Sequence, residues 1–272
     1  MTVHFFCALL CEANPIIENY NLIKSDKYNL FNIYLSADKK ISLTLTGIGK
    51  TNAAKAVSYH NESVNTSDNN IWLNIGIAGH KNIEIGETRL VNKIIDDEDK
   101  LSWYPQIIFD PPCDCEDLVS LKSPSTKYKS CLYDMEASGF YQIAVKFGTS
   151  ELIHSLKIIS DNSEKSMSVI NKKNIEFLVK NKMNVIEKLL TELEDLANNI
   201  TPDNRKPKYY NLFLKKWHFT QSEKHMLSNL LTKLLIRYPD ENLFEMTESL
   251  ATGKSVLKEL QNKINNINFS IN

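Results

Sequence analysis

The sequence predicts an α/β domain followed by a smaller helical region. Strand-like apolar stretches alternate with turn-rich or helical segments through most of the chain, which is the pattern of a sheet covered by helices. Beyond residue 207 the apolar residues instead recur at helical spacing, as in Met226, Leu230 and Leu234. A segment with two prolines, 198–207, separates the two patterns. We therefore expect one domain over 1–200 and a basic helical extension over 201–272.

Each element is predicted from its local pattern. The strand-like stretches are 3–10, 30–35, 41–46, 71–77, 87–95 and 153–159. Helical spacing is clearest at 51–60, 137–147, 175–197, 222–238, 243–250 and 255–267. Residues 101–131 show little periodicity and several prolines, so they are predicted to be a loop.

Composition restricts the class of protein. With 272 residues, 42% of them hydrophobic and 24% charged, the chain can bury a substantial core. Five irregularly spaced cysteines argue against a secreted disulfide framework and favour a reducing cytoplasm. No apolar run approaches the roughly 20 residues of a membrane-spanning helix, and the opening stretch lacks the positive start of a signal peptide. We expect a soluble, cytoplasmic protein with no membrane partner.

Charge is distributed unevenly along the chain. Residues 205–272 contain 11 Lys and Arg against 6 Asp and Glu, whereas the rest of the chain is acidic. A basic set of helices with a Thr252–Ser255 turn resembles a helix-turn-helix unit, which makes a nucleic-acid contact one hypothesis. Basic helices more often form a solvated surface or a docking site, and that alternative is preferred.

Two sequence patterns that often mark phosphate-binding or metal-binding sites lack residues that such sites require. The sequence Gly-Ile-Gly-Lys-Thr at 47–51 lacks the earlier glycine of a phosphate-binding loop, because Thr44 occupies that position. What remains is a glycine turn that allows a close backbone approach. His80 and the Cys113-Asp-Cys115 triplet have no further ligands nearby in sequence. We therefore expect neither a metal nor a cofactor.

An acidic pair lies where a strand is predicted to turn into a helix. Asp134 and Glu136 flank Met135 directly before the helical pattern that begins at Ala137. Such carboxylates commonly cap the positive end of a helix. In open α/β sheets, however, ligands also gather at the ends of strands. The pair could therefore be structural or functional.

Five short motifs occur together in one order. They are Cys11–Ile16, Thr46–Ala54, Asn74–Gly79 with Ile85–Glu87, Asp134–Ala137 and Ser160–Asn162. In this order the set resembles the nucleoside phosphorylase and nucleosidase superfamily, and within it the methylthioadenosine/S-adenosylhomocysteine nucleosidases. The resemblance covers residues 1–200. It implies a three-layer phosphorylase/hydrolase-like fold around a mixed twisted sheet, with a small-molecule nucleoside as ligand and a homodimer or higher homo-oligomer as the assembly.

The resemblance also implies roles for individual residues. Asp161 would protonate N7 of a purine as the general acid, which requires a raised pKa near neutral pH. Glu12 would hold and activate the attacking water, and Glu136 would accept hydrogen bonds from the ribose hydroxyls. Supporting contacts with the sugar, the base or Asp161 would come from Met135, Ser160, Ala78 and Gly79.

Departures from the family pattern decide between the activities. Hexameric purine phosphorylases have a phosphate-binding arginine where this chain has Asn74, so hydrolysis of the N-glycosidic bond is preferred over phosphorolysis. Nucleosidases often have a serine in place of Ile77, which leaves a catalytically weak nucleoside sensor or partner-binding protein as a further alternative. The base-stacking aromatic is not assigned, with Trp103, Tyr104, Phe109 and another subunit as candidates.

Overall fold

The computed structural model describes residues 1–64, 69–125, 129–164, 171–200 and 207–265. The chain forms two compact units, Met1–Pro202 and Asp203–Asn272. Within the described ranges, no helix is both long enough and apolar enough to cross a membrane.

The first unit is built on one mixed sheet. Its strands are β1 (Thr2–Cys7), β2 (Ile23–Lys24), β3 (Ile33–Leu35), β4 (Ile41–Leu45), β5 (Asn70–Gly79), β6 (Thr88–Asp96), β7 (Ser102–Trp103), β8 (Cys115–Ser120), β9 (Leu132–Asp134) and β10 (Ile153–Asp161). They run in the order β10-β6-β8-β9-β5-β1-β4-β3-β2, with β7 beside β6. Because β10 also pairs with β5, the strands β5, β10, β6, β8 and β9 close into a ring.

Four neighbouring strands define the edge at which the site lies. β4, β1, β5 and β10 are mutually parallel, each paired in register with the next. Their carboxyl ends therefore meet at one edge of the sheet. Glu12, Gly49 and His80 lie in the segments that follow β1, β4 and β5, and Asp161 is the last residue of β10.

Helices cover both faces of this sheet. They are α1 (Leu10–Asn19), α2 (Lys50–Ser63), α3 (Ala137–Ala144), α4 (Lys172–Lys180) and α5 (Met183–Asn199). Apolar side chains of α1, α4 and α5, such as Ile16, Val179 and Leu189, belong to one buried cluster. Side chains of α2 and α3, such as Val57 and Phe140, belong to a second cluster. The predicted α/β class with helices on both sides of a mixed sheet is confirmed.

Two predictions about elements are wrong. The helix expected over 175–197 is two helices, because the chain breaks at Asn181 and Lys182 between α4 and α5. The loop expected over 101–131 contains β7 and β8. β8 carries charged residues at 116 and 117 and has little local strand signal. It forms because β6 and β9 pair with it on either side, which is a non-local cause.

The second unit is helical, as predicted. Its helices are α6 (Tyr210–Lys216), α7 (Gln221–Arg237), α8 (Leu243–Thr247) and α9 (Gly253–Asn265). Positions 266 and 267 of the last predicted helix lie outside the described residues. The unpredicted α6 is held by aromatic packing, since Phe213 and Trp217 are buried and the Trp217 indole donates to the Leu250 carbonyl at 2.8 Å. α7 begins with a reciprocal cap, in which Thr220 Oγ1 accepts from the Glu223 amide.

Buried histidines form part of the core of the first unit. His4 Nδ1 lies 2.7 Å from Ser42 Oγ, and His60 Nδ1 lies 2.8 Å from Thr44 Oγ1. Burial lowers the pKa of His4 to about 3 and lowers the pKa of His60 well below its ordinary value. Both rings are therefore neutral in the folded protein at neutral pH, and acid must charge them at a cost to the fold.

His154 of β10 predicts a measurable pH dependence of stability. Burial lowers its pKa from 6.5 to about 4, so the unfolded chain binds one more proton between these values and the folded state loses stability as pH falls. The variant His154→Gln keeps a donor for the Glu151 carbonyl, which lies 2.9 Å from the ring, and cannot titrate. Between pH 6 and pH 4.5, the free energy of unfolding of this variant in urea should fall less than that of the wild type. The difference between the two should be about 1.4 kcal/mol per pH unit.

The exposed His225 of α7 provides the matched control. His225→Gln should leave the pH dependence of unfolding as it is in the wild type, because this side chain lies in solvent. Identical pH slopes for His154→Gln and the wild type would contradict the assignment of a neutral buried imidazole.

Candidate active site

A cavity at the carboxyl edge of the parallel strands brings together every predicted site residue. Its volume, with the open mouth and the solvent space there included, is about 680 Å³. The predicted residues that line it are Glu12, Ala78, Gly79, Met135, Glu136, Ser160 and Asp161. The other lining residues are Ala8, Leu9, Ile48, Ile77, Leu121, Pro124, Ser125, Tyr133 and Asp134.

Glu12 is fixed in the first turn of α1 by backbone amides. Its Oε2 accepts from the Leu9 amide at 2.8 Å, and its Oε1 accepts from the Ile77 amide at 3.0 Å. A Cβ at Gly76 would lie only 2.9 Å from Oε1, so a larger residue there would push the Glu12 carboxyl group out of this position. Burial raises the pKa of Glu12, although these amides and Lys157 act against the rise. The carboxyl group is thus both immobile and more basic than an ordinary glutamate.

Glu136 lies between β9 and α3 and is held by the glycine turn. The Gly49 amide donates to Glu136 Oε1 at 2.8 Å. Gly49 has a φ of +100°, which a residue with a Cβ would adopt only under strain. Burial, followed by the negative charge of Asp134, raises the pKa of Glu136 to about 7. The turn that fails as a phosphate-binding loop therefore positions a carboxylate.

Asp134 has its oxygens engaged within the protein. Oδ1 accepts from Ser120 Oγ at 2.6 Å, and Oδ2 accepts from the Ala137 amide at 2.9 Å, which caps α3. Oδ2 also forms an ion pair with Lys157 Nζ at 2.9 Å. These contacts give Asp134 the structural, helix-capping role that was one reading of the acidic pair.

Lys157, which sequence reasoning did not single out, is a cation buried beneath the cavity. Its side chain is 1% exposed in the middle of β10 and donates to Asn74 Oδ1 at 2.7 Å. Burial acts to lower its pKa, but Asp134 and Glu136 outweigh that effect and raise the pKa, so the ammonium group stays charged. Its only local signal in the sequence is its place between the apolar residues Leu156 and Ile158.

Asp161 terminates β10 beside Gly79. Ser160 Oγ donates to Asp161 Oδ1 at 2.6 Å, and the residue is 2% exposed. The backbone registers Asp161 opposite Gly79 of β5, with a local irregularity after Ile159. The acid and the small residues expected around it therefore share one wall of the cavity.

The aromatic residues expected to contact the base lie elsewhere. Trp103 packs against the core beneath α2 and α3, Tyr104 is 58% exposed, and Phe109 lies edge-on to His154. None of these three is among the described lining residues. Tyr133, directly before Asp134, is the aromatic residue found there instead.

Removal of the buried ammonium should be costly to the fold. Lys157→Met leaves Asp134 and Asn74 buried without their partner, and we expect a loss of about 3–5 kcal/mol in the free energy of unfolding. Chemical denaturation checks this value. Lys157→Arg, which keeps the charge, should lose less.

The control for this change is a lysine in a partly exposed pair. Lys93 lies 3.9 Å from Asp117 near the surface, so Lys93→Met should cost less than about 1 kcal/mol. Equal losses for Lys93→Met and Lys157→Met would contradict the role given to the buried pair.

Solved structures share this architecture. The 5′-methylthioadenosine/S-adenosylhomocysteine nucleosidase of Campylobacter jejuni aligns with a TM-score of 0.56 at 15% identity, covering 70% of this chain and 98% of that one. The nucleosidase of Colwellia psychrerythraea, solved with adenine, gives 0.56 at 13% identity over 71% and 96%. Helicobacter pylori futalosine hydrolase gives 0.56 at 13% identity over 71% and 98%.

Comparison at the level of sequence adds no relative, since neither a protein-family model nor a curated protein matches the chain. The structural matches cover nearly the whole of each neighbour but leave more than a quarter of this chain unmatched. The chain shares the fold of these nucleosidases and of futalosine hydrolase and has additional helices at its C-terminus.

Proposed function

We propose that the first unit hydrolyses the N-glycosidic bond of a purine nucleoside or of a 5′-thio- or 5′-deoxyadenosine derivative and releases the base. The observation that carries this proposal is the acidic character of the cavity. Its lining includes Glu12, Asp134, Glu136 and Asp161, and no Lys, Arg or His is among the described lining residues. The similarity in fold to nucleosidases supports the same reaction class.

An acidic cavity suits the transition state of this reaction. As the bond to the base breaks, the ribose ring acquires positive charge, and fixed carboxylates stabilise that charge where it develops. A phosphate nucleophile would instead need cationic partners. Asn74 offers none, because its side chain accepts from Lys157 and donates to the Phe6 carbonyl at 3.2 Å. Water is therefore the preferred nucleophile.

Asp161 and Glu12 divide the proton transfers. Asp161 donates a proton to N7 of the leaving purine, and the hydroxyl of Ser160 orients it. Glu12 takes a proton from the attacking water, for which a raised pKa is an advantage. The family serine at position 77 is missing, yet the Ile77 amide still anchors Glu12. The loss of that hydroxyl therefore does not release the base catalyst.

Glu136 and Met135 hold the sugar. Glu136 has one oxygen on the Gly49 amide, which leaves its other oxygen to accept hydrogen bonds from ribose hydroxyls. Met135 packs its side chain against the sugar ring. Ala78 and Gly79 leave room for the sugar and base, because they add little or no side chain to the wall.

Release of free base tests the reaction. Purified protein incubated with methylthioadenosine, S-adenosylhomocysteine, 5′-deoxyadenosine, adenosine or inosine should release a purine without phosphate, as measured by chromatography. Asp161→Asn should reduce the rate by about 10²- to 10⁴-fold, because the general acid is lost. Asp97→Asn, a change at a 54% exposed side chain paired with Lys100, should not alter the rate.

Two other outcomes of this experiment would contradict the proposed hydrolysis. Release that requires phosphate would replace hydrolysis with phosphorolysis. Binding of these nucleosides without release from any of them would identify a sensor.

The pKa of Glu136 predicts how kcat/KM falls at acidic pH. Only the ionised carboxyl accepts from both ribose hydroxyls, and its pKa is raised to about 7. Below that pH the protonated form dominates, so kcat/KM should fall about tenfold per pH unit. In Glu136→Gln this limb should disappear together with most of the activity. A rate that stays constant from pH 8 to pH 5 would contradict the assignment.

A further inference from the structure

A buried carboxylate holds residues next to both ends of the Gly49–Glu136 hydrogen bond. Asp96 is the last residue of β6, is 3% exposed and is not among the described residues that line the cavity. Its Oδ1 accepts from Lys50 Nζ at 2.7 Å, and Lys50 directly follows Gly49. Its Oδ2 accepts from Ser138 Oγ at 2.8 Å, and Ser138 lies two residues beyond Glu136. One side chain thus binds the start of α2 and the start of α3.

The starts of these two helices also meet closely. A Cβ at Gly139 of α3 would lie 1.9 Å from the carbonyl oxygen of Lys50, so a larger residue there would push the two backbones apart. Lys50 Nζ also pairs with Glu98 at 2.7 Å. The junction of α2 and α3 therefore combines a close backbone approach with a charged cluster beside it.

Asp96 is itself fixed and keeps its charge. Its Oδ1 also accepts from the amides of Glu98 and Asp99, at 2.9 and 3.0 Å. Burial acts to raise the pKa of Asp96, but Lys50, the Asp99 amide and Ser138 outweigh burial and lower the pKa to about 2. Both of its oxygens therefore face hydrogen-bond donors. An asparagine in this place would turn its own NH2 group toward one of those donors, whichever way the amide is oriented.

We propose that Asp96 is a positioning residue for the carboxyl group of Glu136. By binding the starts of both helices, Asp96 keeps the Gly49 amide 2.8 Å from Glu136 Oε1. This inference rests on the proposed function, in which Glu136 accepts hydrogen bonds from the ribose hydroxyls. Because Asp96 acts on the ligand only through Glu136, its loss should weaken the binding of a nucleoside and spare the binding of a free base.

Hydrogen exchange of the Gly49 amide, measured by NMR, tests the positioning role without a ligand. In Asp96→Asn this amide should exchange faster than in the wild type by about tenfold or more, because its acceptor is no longer held in place. The amide of Leu73, buried in the centre of β5, should exchange as before. Asp97→Asn makes the same change at a 54% exposed side chain and should leave the exchange of Gly49 unaltered.

Ligand affinity tests the consequence for the sugar. Calorimetric titration compares methylthioadenosine with adenine in an Asp161→Asn background, which slows turnover. Adding Asp96→Asn should weaken the binding of methylthioadenosine by about tenfold or more and that of adenine by less than about twofold. Adding Asp97→Asn should change neither affinity.

The outcomes separate this inference from the proposed activity. Unchanged exchange of the Gly49 amide in Asp96→Asn would overturn the inference, and so would equal weakening of the two ligands. If circular dichroism shows that Asp96→Asn is not folded, Ser138→Ala decides: exchange of Gly49 should rise by about threefold or more, and an unchanged rate would overturn the inference. Nucleoside affinity that depends on Asp96 in a protein that releases no base would refute the proposed hydrolysis and leave the positioning role standing.

Discussion

The ion pair between Lys157 and Asp134 is the interaction on which the acidic cavity depends. Moving a single charge into a protein interior costs several kcal/mol, and four carboxyl groups lie around this cavity. Lys157 supplies one positive charge at the centre of the sheet and is almost completely buried. It compensates Asp134 directly, and from a greater distance it opposes the rise that burial causes in the pKa of Glu136 and of Glu12. One lysine thus sets how much negative charge the site can keep.

Backbone amides hold the carboxyl groups of Glu12 and Glu136 in place. Glu12 is anchored by the amides of Leu9 and Ile77, and Glu136 by the amide of Gly49. A backbone amide is positioned by the conformation of the chain, so it can donate the hydrogen bond with almost any side chain on its residue. This explains how Ile77 can anchor Glu12 although its side chain has no hydrogen-bonding group. It also explains the glycines, because Gly76 and Gly49 are needed for space and for backbone geometry.

The residues that sequence reasoning found are those whose local context is distinctive. Glu12, Glu136 and Asp161 each follow a strand and open or precede a turn, and the resemblance to nucleosidases supplied their roles. Lys157 has only a weak signal of this kind, a single lysine between two apolar residues of a strand. Its importance comes from Asn74 and Asp134, which are far away in sequence. Strand β8 has the same non-local origin, since it forms between β6 and β9, and this is why 101–131 was predicted as a loop.

Closure of β5, β10, β6, β8 and β9 into a ring has a consequence for how the chain can diverge. A strand that slips by one residue turns all its side chains to the opposite face. β10 is paired on both sides, with β5 and β6, so Asp161 cannot change register unless two hydrogen-bond ladders break together. The position of the Asp161 carboxyl group is therefore fixed by the backbone pairing of β10. Substitutions in the covering helices can therefore accumulate without moving the Asp161 carboxyl group, as long as both ladders persist.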